Sequence, residues 1–316
     1  MSDVLVKSLV NRYEKKEHQR KGILMKIAII QHLPELDYPI KERLERACTR
    51  IESLADQNID LIMLPEEWLD GAFMDDIQFA EQHTLDGWAF TRIGESVRRV
   101  GAYVHAGTFQ VKNDDGGLPF NTAIFFAPNG EIRTRYDKIH LHGKSYATVS
   151  PEDKARYLGG ASEVHKAEPQ TNGSKLVVQT VTLPHSGRDV TFGFNTCADI
   201  TYGEQQRALV DMGADVLLLS AAWPTEYAHA WDLLPATRAL ENCVFVLAAN
   251  NRGQQEALEL YGNSMVINPF GKVIARAGKT DEILIAELDL DEVKAANIIG
   301  GFKQDRAVAE SFAGKI

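Results

Sequence analysis

Three side chains far apart in the chain are of types that together make a covalent hydrolase: the carboxyl of Glu66 in PEEWLDG, the ammonium of Lys138 in RYDKIHLHG and the thiol of Cys197 in FGFNTCADI. A thiol attacks an electrophilic carbon once a base takes its proton, and a fixed cation or backbone N–H groups hold the oxyanion that forms. Each residue alone also has a plainer reading, as an exposed loop acid, a surface lysine and a buried structural cysteine. What they share is position. Each follows a stretch that reads as a buried strand, and sites in open α/β sheets gather beyond strand ends.

The positioning elements follow from periodicity. Residues 59–64 (IDLIML) make an apolar strand stopped by Pro65, so Glu66 comes directly after it. Residues 121–127 and 131–136 flank Pro128-Asn129-Gly130, a hairpin turn, and Lys138 lies just past the second strand. Cys197 ends the strand at 190–194 and precedes a helix at 203–212, in a turn that Asn195, Thr196 and Asp199 make polar. Around these lie strands at 26–31, 102–109, 176–183, 215–220 and 244–249, helices at 42–57, 90–100 and 227–241, and a second hairpin, 261–268 with 272–276, around Pro269-Phe270-Gly271. In 42–57 the spacing of Leu44, Ala47, Cys48, Ile51, Leu54 and Ala55 makes one helical stripe, which buries Cys48. Cys243, in CVFVLAAN, reads as structural too. The stretch 141–174 is long and irregular, as functional loops often are. This βα alternation predicts one α/β domain of mixed sheets over 25–316, with a C-terminal tail, after an extension at 1–24.

The 316 residues carry 34 basic against 44 acidic side chains, a net charge of −10, which argues against a nucleic-acid binder and against docking on anionic lipid. No apolar run reaches the roughly 18 residues of a membrane span. The N-terminus lacks the apolar core of a secretory signal, and three scattered cysteines make no disulfide framework, so a reducing, cytoplasmic setting is expected. His140 and His142 alternate as in a strand and would face one side, a possible metal pair, but no third ligand has diagnostic spacing.

Together these segments resemble the nitrilase superfamily of carbon–nitrogen hydrolases, from Met25 to about Leu290. DLIMLPE is similar to that family's glutamate motif, YDKIHL to its lysine motif and NTCADITYGEQQRALVDMGADVLLLSAAWP to its nucleophile motif. The resemblance implies an α/β fold, a four-layer αββα sandwich of two mixed β-sheets, that assembles as a homodimer or higher homo-oligomer. It implies hydrolysis of a small amide without metal or organic cofactor. Glu66, rather than Glu67, is then the general base, Cys197 the nucleophile, and Lys138 with the Ala198 N–H the oxyanion holders. Trp223 and Tyr227 would line the pocket, while Trp231 is as readily ordinary packing. A second glutamate, which many members carry after the lysine, falls on Glu152, with Glu163 as the alternative. Two departures bear on substrate. Thr201 stands where members often have an arginine, so a substrate carboxylate would need another cation. Asp199 stands where nitrilases usually have glutamate, which favours amides. Carbamoyl compounds and nitriles stay open as substrates, as do a metal hydrolase and a non-catalytic binding member.

Overall fold

The computed structural model describes residues 24–32, 35–72, 83–144, 148–157, 168–255 and 258–300. Residues 1–23 of the expected extension, the tail 301–316 and the alternative acid Glu163 lie outside them. The first half of the chain supplies β1 (Leu24–Ile30), α1 (Ile40–Glu52), β2 (Leu61–Met63), α2 (Trp88–Val100), β3 (Tyr103–Val111), β4 (Phe120–Phe126), β5 (Ile132–Asp137) and α3 (Pro151–Tyr157). Then come β6 (Val178–Thr182), β7 (Asp189–Thr196), a 3₁₀ turn at Cys197–Thr201, α4 (Gly203–Asp211), β8 (Val216–Ala221), α5 (Ala228–Asn242) and β9 (Phe245–Asn250). The chain closes with β10 (Arg252–Gln255), β11 (Leu258–Tyr261), β12 (Met265–Ile267), β13 (Val273–Arg276), β14 (Ile283–Asp289) and α6 (Asp291–Gly300).

Two six-stranded sheets run β14-β1-β2-β3-β4-β5 and β13-β12-β9-β8-β7-β6. In each the central strands are parallel, β1-β2-β3 and β7-β8-β9, and the outer ones antiparallel. Alternation along a strand splits its side chains between two layers. In β1, Ile27 and Ile29 face the sheet–sheet core with Phe192, Phe194, Leu218 and Leu247, whereas Ala28 and Ile30 face the helix layer with Leu44, Cys48, Ile51 and Ile93. On the far side Leu217, Leu219 and Val246 pack against Leu209, Trp231 and Ala239 of α4 and α5. The result is an αββα sandwich. Strands buried on both faces read as continuous apolar runs, which is why 26–31 and 59–64 show no polar alternation.

The expected elements and the structure part in several places. The helix expected to 57 ends at Glu52, and Asp56 and Asn58 take positive φ (64° and 53°), which unwinds the chain into β2. The strand expected over 261–268 is two strands, broken where Gly262 and Asn263 adopt φ of 64° and 53°; β11 pairs with β10 and β12 with β9. Helix α3, strand β10, strand β14, which lies antiparallel along β1, and helix α6 are not among the expected elements.

Candidate active site

The ends of the parallel strands from both sheets meet at one place. Strand β2 delivers Glu66 through the turn at Pro65, β7 delivers Cys197, β8 delivers Ala222 and Trp223, and β9 delivers Asn251. Lys138 follows β5, at the edge of the first sheet. Gly107 lets β3 approach the turn before Glu66. Its φ is 76°, and a Cβ there would lie 1.9 Å from the Pro65 carbonyl oxygen. No other residue fits.

The Glu66 carboxylate is 2% exposed and both its oxygens accept hydrogen bonds. Oε1 accepts from Lys138 Nζ at 2.9 Å and Asn121 Nδ2 at 2.9 Å, and Oε2 accepts from the Ala222 N–H at 2.9 Å. The Asn251 side-chain amide holds the Glu66 carbonyl. Lys138 is fully buried and reaches a second acid, Glu168 Oε1, at 2.7 Å. The Cys197 thiol, also buried, lies close enough to Glu66, Lys138 and Glu168 to feel the charge of each. The three residues singled out from sequence therefore lie in one buried cluster, Glu66 and Lys138 in contact and Cys197 within reach of both charges.

Electrostatics divides their states. Burial, then the Glu66 charge, pushes the Cys197 thiol well above its ordinary value, so the resting residue is a neutral thiol. Burial alone would lower the Lys138 ammonium, but Glu168 and Glu66 outweigh it and hold the group well above its usual value, permanently charged. Burial raises Glu168 to about 7, with Lys138 opposing and Glu66 adding to the rise. A neutral thiol needs a base at the moment of attack, and Glu66 is the carboxylate whose charge acts on it most strongly.

The nucleophile turn is braced from two sides. Cys197 has φ 46°, a left-handed conformation that costs a non-glycine residue about 1–3 kcal/mol and needs surrounding support. Asp199, fully buried, supplies part of it. It accepts from Thr196 N at 2.9 Å, from Tyr136 Oη at 2.7 Å and from His140 N at 2.9 Å. Arg238 donates to the carbonyls of Ile200 (3.0 Å) and Thr201 (3.2 Å) and pairs with Glu241 at 2.9 Å. At the start of the turn the Ala198 N–H has no acceptor inside the turn.

A cavity of about 320 Å³ opens onto Cys197 and Ala198, walled by Leu141, Trp223, Pro224 and Tyr227, with His142, Lys144, Thr201 and Tyr202 contributing polar atoms. Trp223 and Tyr227 thus stand where the sequence reading put them, and Trp231 is wholly buried in the core. Lys144 is the one lysine or arginine among the described lining residues, and its Nζ lies 3.3 Å from the Gln170 carbonyl.

Two expectations need correction. Glu152 is not the second acid. It lies on the exposed surface of the short helix α3, and the acid on Lys138 is Glu168, at the end of the irregular stretch. His140 and His142 do not share a strand face, because β5 ends at Asp137. His140 Nδ1 sits 3.0 Å from Asp199 and its ring stacks on Tyr202 at 3.8 Å, while His142 lines the cavity. Among the described residues no cluster of three or more metal-ligating side chains occurs. Beyond Glu168, the reading from sequence also missed Asn121, Asn251 and the Ala222 N–H, groups whose types carry no signal until the strands are aligned.

A double-layered sandwich with a thiol, an ammonium and carboxylates at its strand ends defines a class of hydrolase. Residues 26–298 match the model of the carbon–nitrogen hydrolase family, and the chain belongs to that family. It is a carbon–nitrogen hydrolase, acting on bonds other than peptide bonds. It is 29% identical over 263 residues to a 2-oxoglutaramate amidase of Paenarthrobacter nicotinovorans, covering 82% of this chain and 83% of that one. It is 30% identical over 261 residues to a deaminated glutathione amidase of Synechocystis, covering 81% and 89%. In fold it is similar to Saccharomyces cerevisiae Nit3, described as a member of branch 10 of the nitrilase superfamily, with TM-score 0.72, 22% identity, and 87% and 94% of the two chains covered.

Proposed function

We propose that this enzyme hydrolyses a small amide to a carboxylic acid and ammonia or an amine, through a thioester on Cys197. The observation that carries the reading is the buried cluster of the Cys197 thiol, the Glu66 carboxylate and the Lys138 ammonium, of which Cys197 opens onto the cavity.

Glu66 takes the thiol proton as sulfur bonds to the amide carbon, and the carbonyl oxygen becomes an oxyanion held by Lys138 and the Ala198 N–H. Protonated Glu66 gives its proton to the departing nitrogen, the C–N bond breaks and the carbonyl re-forms as a thioester. Water then attacks the thioester, Glu66 takes one of its protons, the C–S bond breaks and the sulfur recovers its proton. The sum is amide plus water giving acid plus amine, with Glu66 and Cys197 restored.

The apolar walls and modest volume of the cavity suit a small acyl chain. Lys144 is the side chain that can meet a substrate carboxylate in place of the arginine that Thr201 replaces, and amides of small dicarboxylic acids suit that arrangement. The names of the relatives, amidases of 2-oxoglutaramate and deaminated glutathione, support amides over nitriles. We further propose a homo-oligomer, as the superfamily resemblance implies, and a cytoplasmic setting, which the three scattered free cysteines support. An ammonia-release assay over primary amides with and without a carboxylate, carbamoyl amines and nitriles tests the reading. Wild type should turn over amides and Cys197→Ala none; unchanged turnover in Cys197→Ala, or zinc-dependent activity lost to chelator, overturns it.

A further inference from the structure

The Glu67 carboxyl takes no part in those steps, yet it is buried beside them. Its backbone has φ 44° and is tightly held: Glu67 N donates to Thr108 O at 3.0 Å and Oγ1 at 3.1 Å, and its carbonyl accepts from Gly71 N at 2.7 Å. A left-handed glutamate is costly, so the turn is built to present this side chain. Glu67 Oε1 accepts from the side-chain amide of Gln170. Gln170 is 2% exposed, and its Oε1 has no hydrogen-bond partner among the described residues. Two residues before Gln170 is Glu168, the acid that contacts Lys138. Neighbouring bonds stitch the backbone of the segment, from Glu168 N to His142 O and from Thr171 N to Pro119 O, so the Gln170 side chain is its inward polar anchor.

We propose that Glu67 is a positioning residue: by gripping the Gln170 side chain it seats Glu168 against Lys138 and keeps the Lys138 ammonium aimed at the reacting carbonyl. The inference rests on the amidase reading for what Lys138 does, and not for the existence of the Glu67–Gln170 pair.

Charge and hydrogen-bond chemistry say which form of Glu67 does this. Glu66 and Asp70 from its own turn, Glu168 from the irregular stretch and Lys138 beyond β5 are the charged groups that face it. One ammonium already serves two carboxylates there, and another buried anion would go uncompensated. Burial, then Glu66 and Glu168, accordingly raise Glu67 well above the ordinary carboxylate range, with Lys138 opposing only in part. The neutral acid has one acceptor and one donor. The Gln170 amide offers the complement, an N–H for the acid carbonyl and an otherwise orphaned oxygen for the acid hydroxyl. A glutamine at 67 reproduces that pairing; an aliphatic residue does not, and an ionised carboxylate has no proton to donate.

The test compares Glu67→Gln, Glu67→Leu, Gln170→Leu and the leucine double variant, by amide turnover and by infrared spectroscopy. Glu67→Gln should keep kcat within about threefold and leave the pH–rate profile in place. Glu67→Leu and Gln170→Leu should each lose about tenfold or more in kcat with KM little changed, and the double variant should be no worse than either, because both cut one link. A Glu67→Gln enzyme as impaired as Glu67→Leu, or leucine variants with full kcat, overturns the proposal. The infrared arm needs no turnover: at neutral pH the spectrum of wild type minus that of Glu67→Gln should show the carbonyl stretch of a protonated buried carboxyl, a difference from which Glu168 drops out, and its absence overturns the acid–amide pair. Should Glu67→Leu fail to fold, Gln170→Leu carries the same comparison. Should no amide be turned over, the rate of Cys197 alkylation by iodoacetamide replaces kcat, with the same ordering of variants expected, so failure of the amidase reading and failure of this one are told apart.

Discussion

Asp199 and Tyr136 are joined by a buried 2.7 Å hydrogen bond that ties the nucleophile's turn to the strand leading to Lys138. Tyr136 Oη also accepts from Ile139 N at 3.2 Å, and Asp199 accepts from His140 N, so both residues flanking the lysine's carboxyl-terminal side are indexed to one carboxylate. The distance between sulfur and ammonium is thereby set by residues that touch neither substrate nor product.

Asp199→Asn keeps the shape but places an amide N–H among groups that all donate. We expect a loss of about 1–3 kcal/mol in stability, the cost of leaving a buried donor unpaired, and a lower kcat with KM nearly unchanged. Chemical denaturation and steady-state kinetics measure the two. Wild-type values in both would show that the carboxylate is dispensable.

Lys138→Met preserves length and removes the charge, leaving Glu66 and Glu168 with no shared cation. Loss of an oxyanion donor should cost about 10²–10³ in kcat. Breaking a buried ion pair from one side should also cost about 3–5 kcal/mol in stability. Thermal melts of this variant against Glu168→Gln separate the effects, because the second variant keeps the ammonium. A Lys138→Met protein with undiminished turnover would remove the lysine from the chemistry.

The raised Glu168 makes stability depend on pH in a definite sense. Between its ordinary value of 4.5 and about 7, the folded protein holds a proton on Glu168 that the unfolded chain has released. The contribution of Glu168 is therefore fully present below 4.5 and is lost as pH rises through that window. The melting temperature of wild type minus that of Glu168→Gln should fall over this range and level off above it. A difference that rises with pH would reverse the assignment.

Lys144→Met should weaken binding of carboxylate-bearing amides and spare uncharged ones. Lys144 is exposed, and an exposed ion pair contributes about 0.2–1 kcal/mol, so KM should rise by up to about fivefold for the charged substrates alone. Equal effects on both substrate sets would point to a role in shaping the wall.

How much of this was readable beforehand depends on the kind of signal. Glu66, Lys138 and Cys197 follow apolar strands and punctuated turns, so strand patterning alone put them at sheet ends. Ala198, Trp223 and Tyr227 came with the nucleophile motif. Glu168 did not, because 141–174 offers no periodicity, and several acids compete within it; only the backbone path chooses among them. Asn121 is the second residue of β4 and Asn251 lies just past β9, with nothing in their neighbours to distinguish them from structural asparagines. The break at Gly262 and Asn263 was visible as a turn-forming pair, but the apolar residues on either side read as one strand. Strand β14 is antiparallel at the sheet edge and half exposed, so its pattern was weaker than those of the central strands.

Glu66 and Lys138 are carried by one sheet and Cys197 by the other, and the Ala222 N–H crosses between them to the Glu66 carboxylate. Neither half of the sandwich owns a working centre. An intermediate with one half formed and the other still loose would be chemically silent, however much secondary structure it retained. Catalytic rate recovered during refolding would therefore report the moment the two layers lock together, a step that circular dichroism alone would pass over.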